Sequence, residues 1–211
     1  MTDLKSIKDI KVKIEDVKPN KENIVKSKKL SSDIKIGKSI LELLTTAMYA
    51  SPMTIYREYV QNAVDSIDLA DKENLFSKPN SEPRIDLLID RQLRSVIIRD
   101  TGTAIKQKDF EKILTAFGDS PKRKMKARGF RGIGRLAGLA YCKELIFRSK
   151  TADELFVNEL RWDCLKLRQL LVDSDDDMAL NDIVRDITTI NSVEHDPSKP
   201  DRYFEVRFNG V

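Results

Sequence analysis

The chain has one histidine, two cysteines and no apolar run near the roughly 20 residues a membrane span requires. The single histidine, His195, sits in a stretch with Asp196 and Pro197, which argues against histidine-centred catalysis and zinc chemistry. Cys142 and Cys164 lack the spacing of a metal-binding pair and read as free thiols of a reducing cytoplasm. The opening Met-Thr-Asp-Leu-Lys-Ser has no apolar signal region, so no secretory export is expected. A large excess of one charge is also missing. Thirty-eight basic against 34 acidic residues leave a formal +4, too mild to argue for nucleic acid by itself. The excess is local: residues 1–40 hold eleven Lys against six Asp or Glu, and Lys122–Arg135 is a second basic run.

At 211 residues the chain can bury one substantial core. Residues 1–33 alternate Lys with isolated Ile, Leu and Val and read as a basic N-terminal arm, with a short strand at Ile10–Ile14. From Ile36 the pattern is helical, with Ile40, Leu41, Leu43, Leu44 and Met48 on one apolar face. Ser51-Pro52 supplies a cap and a first-turn proline for a second helix over 52–71. Strands follow at 84–90 and 95–99, joined by a polar turn at Arg91-Gln92, then a short helix at 107–114. A helix at 134–141, strands at 144–148 and 155–160, helices near 165–171 and 179–186, a polar loop and a strand at 203–208 complete the reading. This order predicts an α+β domain over 34–211, a two-layer sandwich of a mostly antiparallel mixed sheet with helices packed on one face. Because the chain stops just after a strand, it is expected to be a fragment of a longer protein.

Polar residues interrupt the second helix on one stripe. Glu58, Asn62 and Asp65 stand at i, i+4 and i+7, whereas Tyr56, Val60, Ala63, Val64 and Ile67 cover most of the remaining circumference and are expected to be buried. Burying a carboxylate and an amide is costly unless they are paired or bound to something charged. A carboxylate one turn before an amide can activate a water beside a metal-bound phosphate. Asp100-Thr101-Gly102-Thr103-Ala104-Ile105 leaves the strand at 95–99; there an Asp can accept from an exocyclic amine while Gly102 admits a flat ring. The same residues also suit an ordinary turn. Gly129-Phe130-Arg131-Gly132-Ile133-Gly134 precedes an apolar helix, where backbone amides can cradle phosphate, although glycine beside a helix also serves conformation alone. It lacks the Gly-Lys-Ser/Thr ending of a P-loop and does not follow directly on a strand, against both common nucleotide folds. Between them, Gly118–Arg128 carries Lys122, Arg123, Lys124, Lys126 and Arg128, either a solvated charge run or a lid over phosphates.

The order of these motifs resembles the GHKL ATPases, the superfamily of gyrase, the ninety-kilodalton heat-shock chaperones, histidine kinases and MutL. Residues 36–71 are similar to the first two helices of the heat-shock chaperones, Gly118 and Lys122 match the spacing of their lid, and Gly129–Gly132 is similar to MutL. The resemblance is close over about 36–150. It implies the Bergerat ATP-binding fold, with ATP as ligand, Mg²⁺ as cofactor and a lid over about 103–128. On it, Glu58 would be the general base, oriented by Arg57, and Asn62 the Mg²⁺ ligand, with Asp65 in support. Asp100 would bind the adenine amine, with Gly102 and Ile105 lining the base pocket. Gly129, Phe130, Arg131, Gly132, Ile133 and Gly134 would form the phosphate loop, with Lys122 as a lid contact. It also implies ATP hydrolysis to ADP, a homodimer on ATP binding, downstream domains of the same protein, and a protein client or DNA as further partner.

Three positions depart from the family pattern. Ala104 replaces the second glycine of Asp-x-Gly-x-Gly, which carries a strain cost if its backbone needs a positive φ. The Gly-Thr pair expected before the last strand is absent, the sequence there being Asp201-Arg202-Tyr203-Phe204. The basic residue that senses the γ-phosphate comes from a following domain in these families, so slow or no turnover is expected of this segment alone. The first alternative is a MutL- or MORC-like nucleotide-gated clamp, with arm and lid on DNA and little hydrolysis. A histidine-kinase domain is disfavoured by Glu58 and by the lack of a preceding phosphoacceptor-type histidine. The plain alternative is an α+β domain with coincidental glycines.

Overall fold

The computed structural model describes residues 11–15, 24–28, 52–77, 81–115, 134–173 and 180–211. The described elements run β1 (Lys11–Glu15), β2 (Ile24–Lys28), α1 (Pro52–Lys72), β3 (Arg84–Asp90), β4 (Ser95–Asp100) and α2 (Gln107–Thr115). A 3-10 helix (Gly134–Ala140), β5 (Glu144–Lys150), β6 (Phe156–Asp163), α3 (Cys164–Asp173), α4 (Leu180–Ile187), β7 (Thr188–Glu194) and β8 (Tyr203–Asn209) follow. The helix expected from residue 36, the basic segment 118–128 and the glycine run 129–133 lie outside the described residues.

Eight strands form one sheet in the order β1-β3-β4-β8-β5-β6-β7-β2. Only the β1–β3 pairing is parallel among them; the rest are antiparallel, which gives the α+β, mostly antiparallel mixed sheet read from the sequence. Both outer strands come from the Lys-rich segment before residue 33. The 134–141 helix is a 3-10 helix, and residues 188–194, read as part of a polar loop, form β7. Thr188, Asn191 and Val193 are buried there, so neither face of β7 shows the apolar–polar alternation that marks a half-exposed strand.

Local chemistry explains the boundaries. Pro52 opens α1, where its missing amide N–H has no helical partner to lose. The helix ends where Asn74 turns left-handed (φ 55°) and the Leu75 amide donates back to the Ala70 carbonyl at 2.9 Å. In the β3–β4 turn the Asp90 carboxylate accepts the Gln92 and Leu93 amides at 2.8 and 2.9 Å. Asp163 caps α3 by accepting the Lys166 amide at 2.9 Å.

The two faces of the sheet differ. On the helix face Ile98, Val206, Phe147, Leu160 and Ile190 pack against Ile55, Tyr59, Ala63 and Ile67 of α1, Phe110 and Leu114 of α2, and Ile183, Val184 and Ile187 of α4. Tyr59 and Tyr56 both set their rings edge-on to Phe208, at 5.1 and 5.5 Å. Val60 is 37% exposed, so one residue of the expected apolar circumference faces outward. On the opposite face, register aligns Asp86, Arg99, Glu205, Arg148, Glu159 and Asn191 in one row across six strands. The Arg99 Nε–H donates to Glu205 at 2.8 Å, Arg148 Nε–H to Glu159 at 2.8 Å, and the Asn191 amide to Glu159 at 2.8 Å. All six are buried. Alternation of sign along the row is what makes such a burial tolerable.

Candidate functional site

One side of α1 carries the stripe. Glu58, Asn62, Asp65 and Ser66 are all partly buried, neither in the core nor free in solvent. Glu58 is 33% exposed, and its carboxylate lies 3.9 Å from a guanidinium nitrogen of Arg57, which is itself 74% exposed. A contact so long and wet holds Glu58 only weakly. Asp65 accepts from the Gln61 side-chain amide at 3.1 Å through Oδ1, while its buried Oδ2 has no hydrogen-bond partner. Asn62 and Asp65, three residues apart on α1, both carry side-chain oxygens. Such a set suits a hard, hydrated cation such as Mg²⁺ rather than a soft metal. Among the described residues no group of three His, Cys, Asp or Glu could hold a metal, so a cation here needs ligands from elsewhere, such as phosphate oxygens.

The far end of the stripe meets the turn after β4. Gly102 lies so close to Ser66 that a Cβ on it would stand 2.1 Å from the Ser66 hydroxyl and 2.6 Å from its carbonyl carbon. Only glycine fits that approach. The Asp100 carboxylate accepts the Gly102 amide at 2.9 Å and a hydrogen bond from Ser66, while the Thr103 amide donates to the Ser66 hydroxyl at 3.1 Å. Burial pushes the Asp100 carboxyl up to about 7, against the opposing pull of the Gly102 amide, the Ser66 hydroxyl and the Arg202 guanidinium. Ile105 is clamped by Ser149, whose hydroxyl accepts the Ile105 amide at 2.7 Å and donates to the Ile105 carbonyl at 2.8 Å. Between these anchors Ala104 takes φ 58°, the left-handed conformation that its substitution for glycine makes costly.

The near end of the stripe meets the 3-10 helix that Gly134 opens. The Gly138 amide donates to the Tyr59 hydroxyl at 3.4 Å, one residue from Glu58. The described candidate site therefore runs along α1. The β4 turn stands at Ser66 and the 3-10 helix near Glu58, separated by eight residues or ~12 Å of helix. Glu58, Asn62 and Asp65 share α1 with Ser66, which meets Asp100 and Gly102, and Ile105 follows in the same turn; Gly134 opens the 3-10 helix whose Gly138 meets Tyr59. Lys122, Gly129, Phe130, Arg131, Gly132 and Ile133 lie outside the described residues. Of the expected lid, residues 103–115 are described, and α2 there is anchored by buried Phe110 and Leu114.

Sequence reasoning passed over Ser66, Ser149 and Arg202. Ser66 was accessible to it, since it follows Asp65 and stands four residues after Asn62 on the same helix. Ser149 and Arg202 act through hydrogen bonds to backbone atoms, which leave no spacing signature. The two cysteines, distant in sequence, are both free and buried with their sulfurs 3.8 Å apart.

Residues 50–191 match the family described as histidine kinase-, DNA gyrase B-, and HSP90-like ATPase. The chain is 31% identical over 77 residues to the chaperone protein HtpG of Sulfurimonas denitrificans, a match over 33% of this chain and 12% of that protein. It is 29% identical over 79 residues to the chaperone protein HtpG of Treponema denticola, over 36% of this chain and 12% of that protein. The match thus spans about an eighth of the length of either relative.

Proposed function

This chain belongs to the family of histidine kinase-, DNA gyrase B- and HSP90-like ATPases, and we propose that it binds Mg²⁺-ATP along α1 and hydrolyses it to ADP and phosphate as part of a chaperone-like protein. The observation that carries this reading is the single helix that joins the Ser66–Gly102 contact, beside Asp100, to a carboxylate at Glu58. A nucleoside triphosphate lying along α1 would have its base at one end and its γ-phosphate at the other.

At the base end, Asp100 accepts the exocyclic amine of adenine, most strongly when ionised, and Gly102 and Ile105 line the ring. At the phosphate end, the Asn62 amide oxygen is the protein ligand for Mg²⁺, with Asp65 beside it. When bound, the cation neutralises charge between phosphate oxygens. Glu58 takes the proton of the attacking water, with Arg57 beside it in no more than a weak contact. Lys122 and the run Gly129–Gly134 contact the phosphates as lid and loop. Nucleotide closes the lid and brings two copies together, with β1 and β2 of the segment 1–33 forming the edges of the nucleotide domain's own sheet and domains that follow it completing the cycle in the cytoplasm. Similarity to the HtpG chaperones and the Lys-rich lid support this second layer.

The test is steady-state ATP turnover by the full-length protein. Glu58→Gln preserves shape and removes the base, so it should lower turnover on the order of 10²–10⁴-fold while ATP binding persists. Unchanged turnover would remove Glu58 from the chemistry.

A further inference from the structure

Besides Ser66 and Ser149, which hold Thr103 and Ile105, the turn that presents Asp100 is held at Thr101 and Gly102 by the side chain of Arg202. Arg202, in the loop before β8, donates from Nε to the Gly102 carbonyl at 2.7 Å and from Nη2 to the Thr101 carbonyl at 3.2 Å. The same guanidinium donates from Nη1 to the Leu75 carbonyl at 3.1 Å and from Nη2 to the Ser81 hydroxyl at 3.5 Å, and lies 5.3 Å from the centroid of the Phe76 ring. It therefore ties the segment after α1, the approach to β3 and the exit of β4 together across a hundred residues of sequence.

We propose that Arg202 is a positioning residue for base recognition, fixing the Thr101–Gly102 backbone so that Asp100 meets the exocyclic amine of the bound nucleotide. This inference rests on the nucleotide reading of the site. The turn needs such a hold. Gly102 has no side chain of its own to anchor it, and Ala104, two residues on, sits at φ 58°. Left to itself the segment would relax toward conformations that alanine prefers. A planar guanidinium can serve two carbonyls of one turn and a third on another segment at once; an ammonium on a flexible stem cannot hold that geometry. Arg202 also carries the positive charge that favours the ionised, amine-accepting form of Asp100, and Glu73 balances Arg202 in turn. These are the charged groups that act on the pair among the described residues.

The test compares Mg²⁺-ATP with Mg²⁺-inosine triphosphate, which has a carbonyl where adenine has its amine, binding to the full chain. Wild type should prefer ATP. Arg202→Lys keeps the charge and loses the fork, so it should weaken ATP about tenfold, the scale of one charge-assisted hydrogen bond, and leave the inosine nucleotide within about twofold. An equal loss for both nucleotides, or none, would reduce Arg202 to a structural brace and overturn the proposal. A second readout needs no ligand and tolerates partial destabilisation: the titration of the Asp100 carboxyl carbon by NMR. In Arg202→Gln its midpoint should move above that of wild type; an unmoved midpoint would also overturn the proposal. If wild type binds neither nucleotide, the ATP reading fails, and the titration still decides whether Arg202 sets the state of Asp100.

Discussion

Ser66 and Gly102 approach each other so closely that the turn after β4 and the middle of α1 form one rigid joint. A methyl group on Gly102 would stand 2.1 Å from the Ser66 hydroxyl and 2.6 Å from its backbone carbon. Gly102→Ala should therefore lower stability by about 1–3 kcal/mol, the usual cost of overpacking, and weaken ATP binding as the turn backs away. Urea denaturation and equilibrium binding read the two effects. Adding Ser66→Ala should restore little, because the backbone carbon of residue 66 remains in the way.

Ala104 predicts the opposite sign. Its φ of 58° costs an alanine more than a glycine, and the residue is exposed enough that no core contact is lost on shaving it. Ala104→Gly should raise stability by about 0.5–1 kcal/mol in denaturant titrations. No change or a loss would mean that the strain is relieved elsewhere.

Asp100 ties binding and stability to pH in opposite directions. Its carboxyl titrates near 7 in the folded chain, above its ordinary value of 3.8. A raised carboxyl contributes stability that is fully present below its unfolded value and is lost as pH rises through about 7. The ionised form is the stronger acceptor for the adenine amine, so ATP affinity should climb over the same interval. Asp100→Asn should be more stable than wild type at pH 8, bind ATP sharply less well, and lose the pH dependence of binding near neutrality. Parallel pH series of thermal denaturation and ATP titration check this.

Glu205 reports on the buried row. Burial would raise its carboxyl, but the Arg207 and Arg99 guanidiniums, with Lys199 and Arg148, outweigh burial and hold it well below the usual carboxylate range. Stability from such a group is present above its unfolded value and disappears as pH falls into the acid range. Glu205→Gln leaves Arg99, Arg148 and Arg207 without their shared negative charge and should cost about 3–5 kcal/mol at neutral pH. The acid limb of the stability profile should also flatten. Denaturation from pH 3 to 8 measures both.

The sequence made some of this legible and hid the rest for physical reasons. Helical and alternating periodicities exposed α1 and the strands β3, β4, β5, β6 and β8, because each has one apolar side to mark it. The polar stripe on α1 was visible because helix spacing is local. The buried row was not, since Arg99 and Glu205 are 106 residues apart and each reads singly as an ordinary exposed charge. β7 was lost for the same reason: its buried Thr188 and Asn191 look like loop residues until their partners are known. Ala104 is the position where a departure in sequence announced a feature of structure, the left-handed backbone of the turn.

The central claim is that α1 and the β4 turn form a Mg²⁺-ATP site, and titration calorimetry of Mg²⁺-ATP into the wild-type chain tests it most directly. Saturable binding is predicted, retained in Glu58→Ala and sharply weakened in Asp100→Asn. Absence of heat from wild type at every ATP concentration, with the chain folded and Mg²⁺ present, would contradict it.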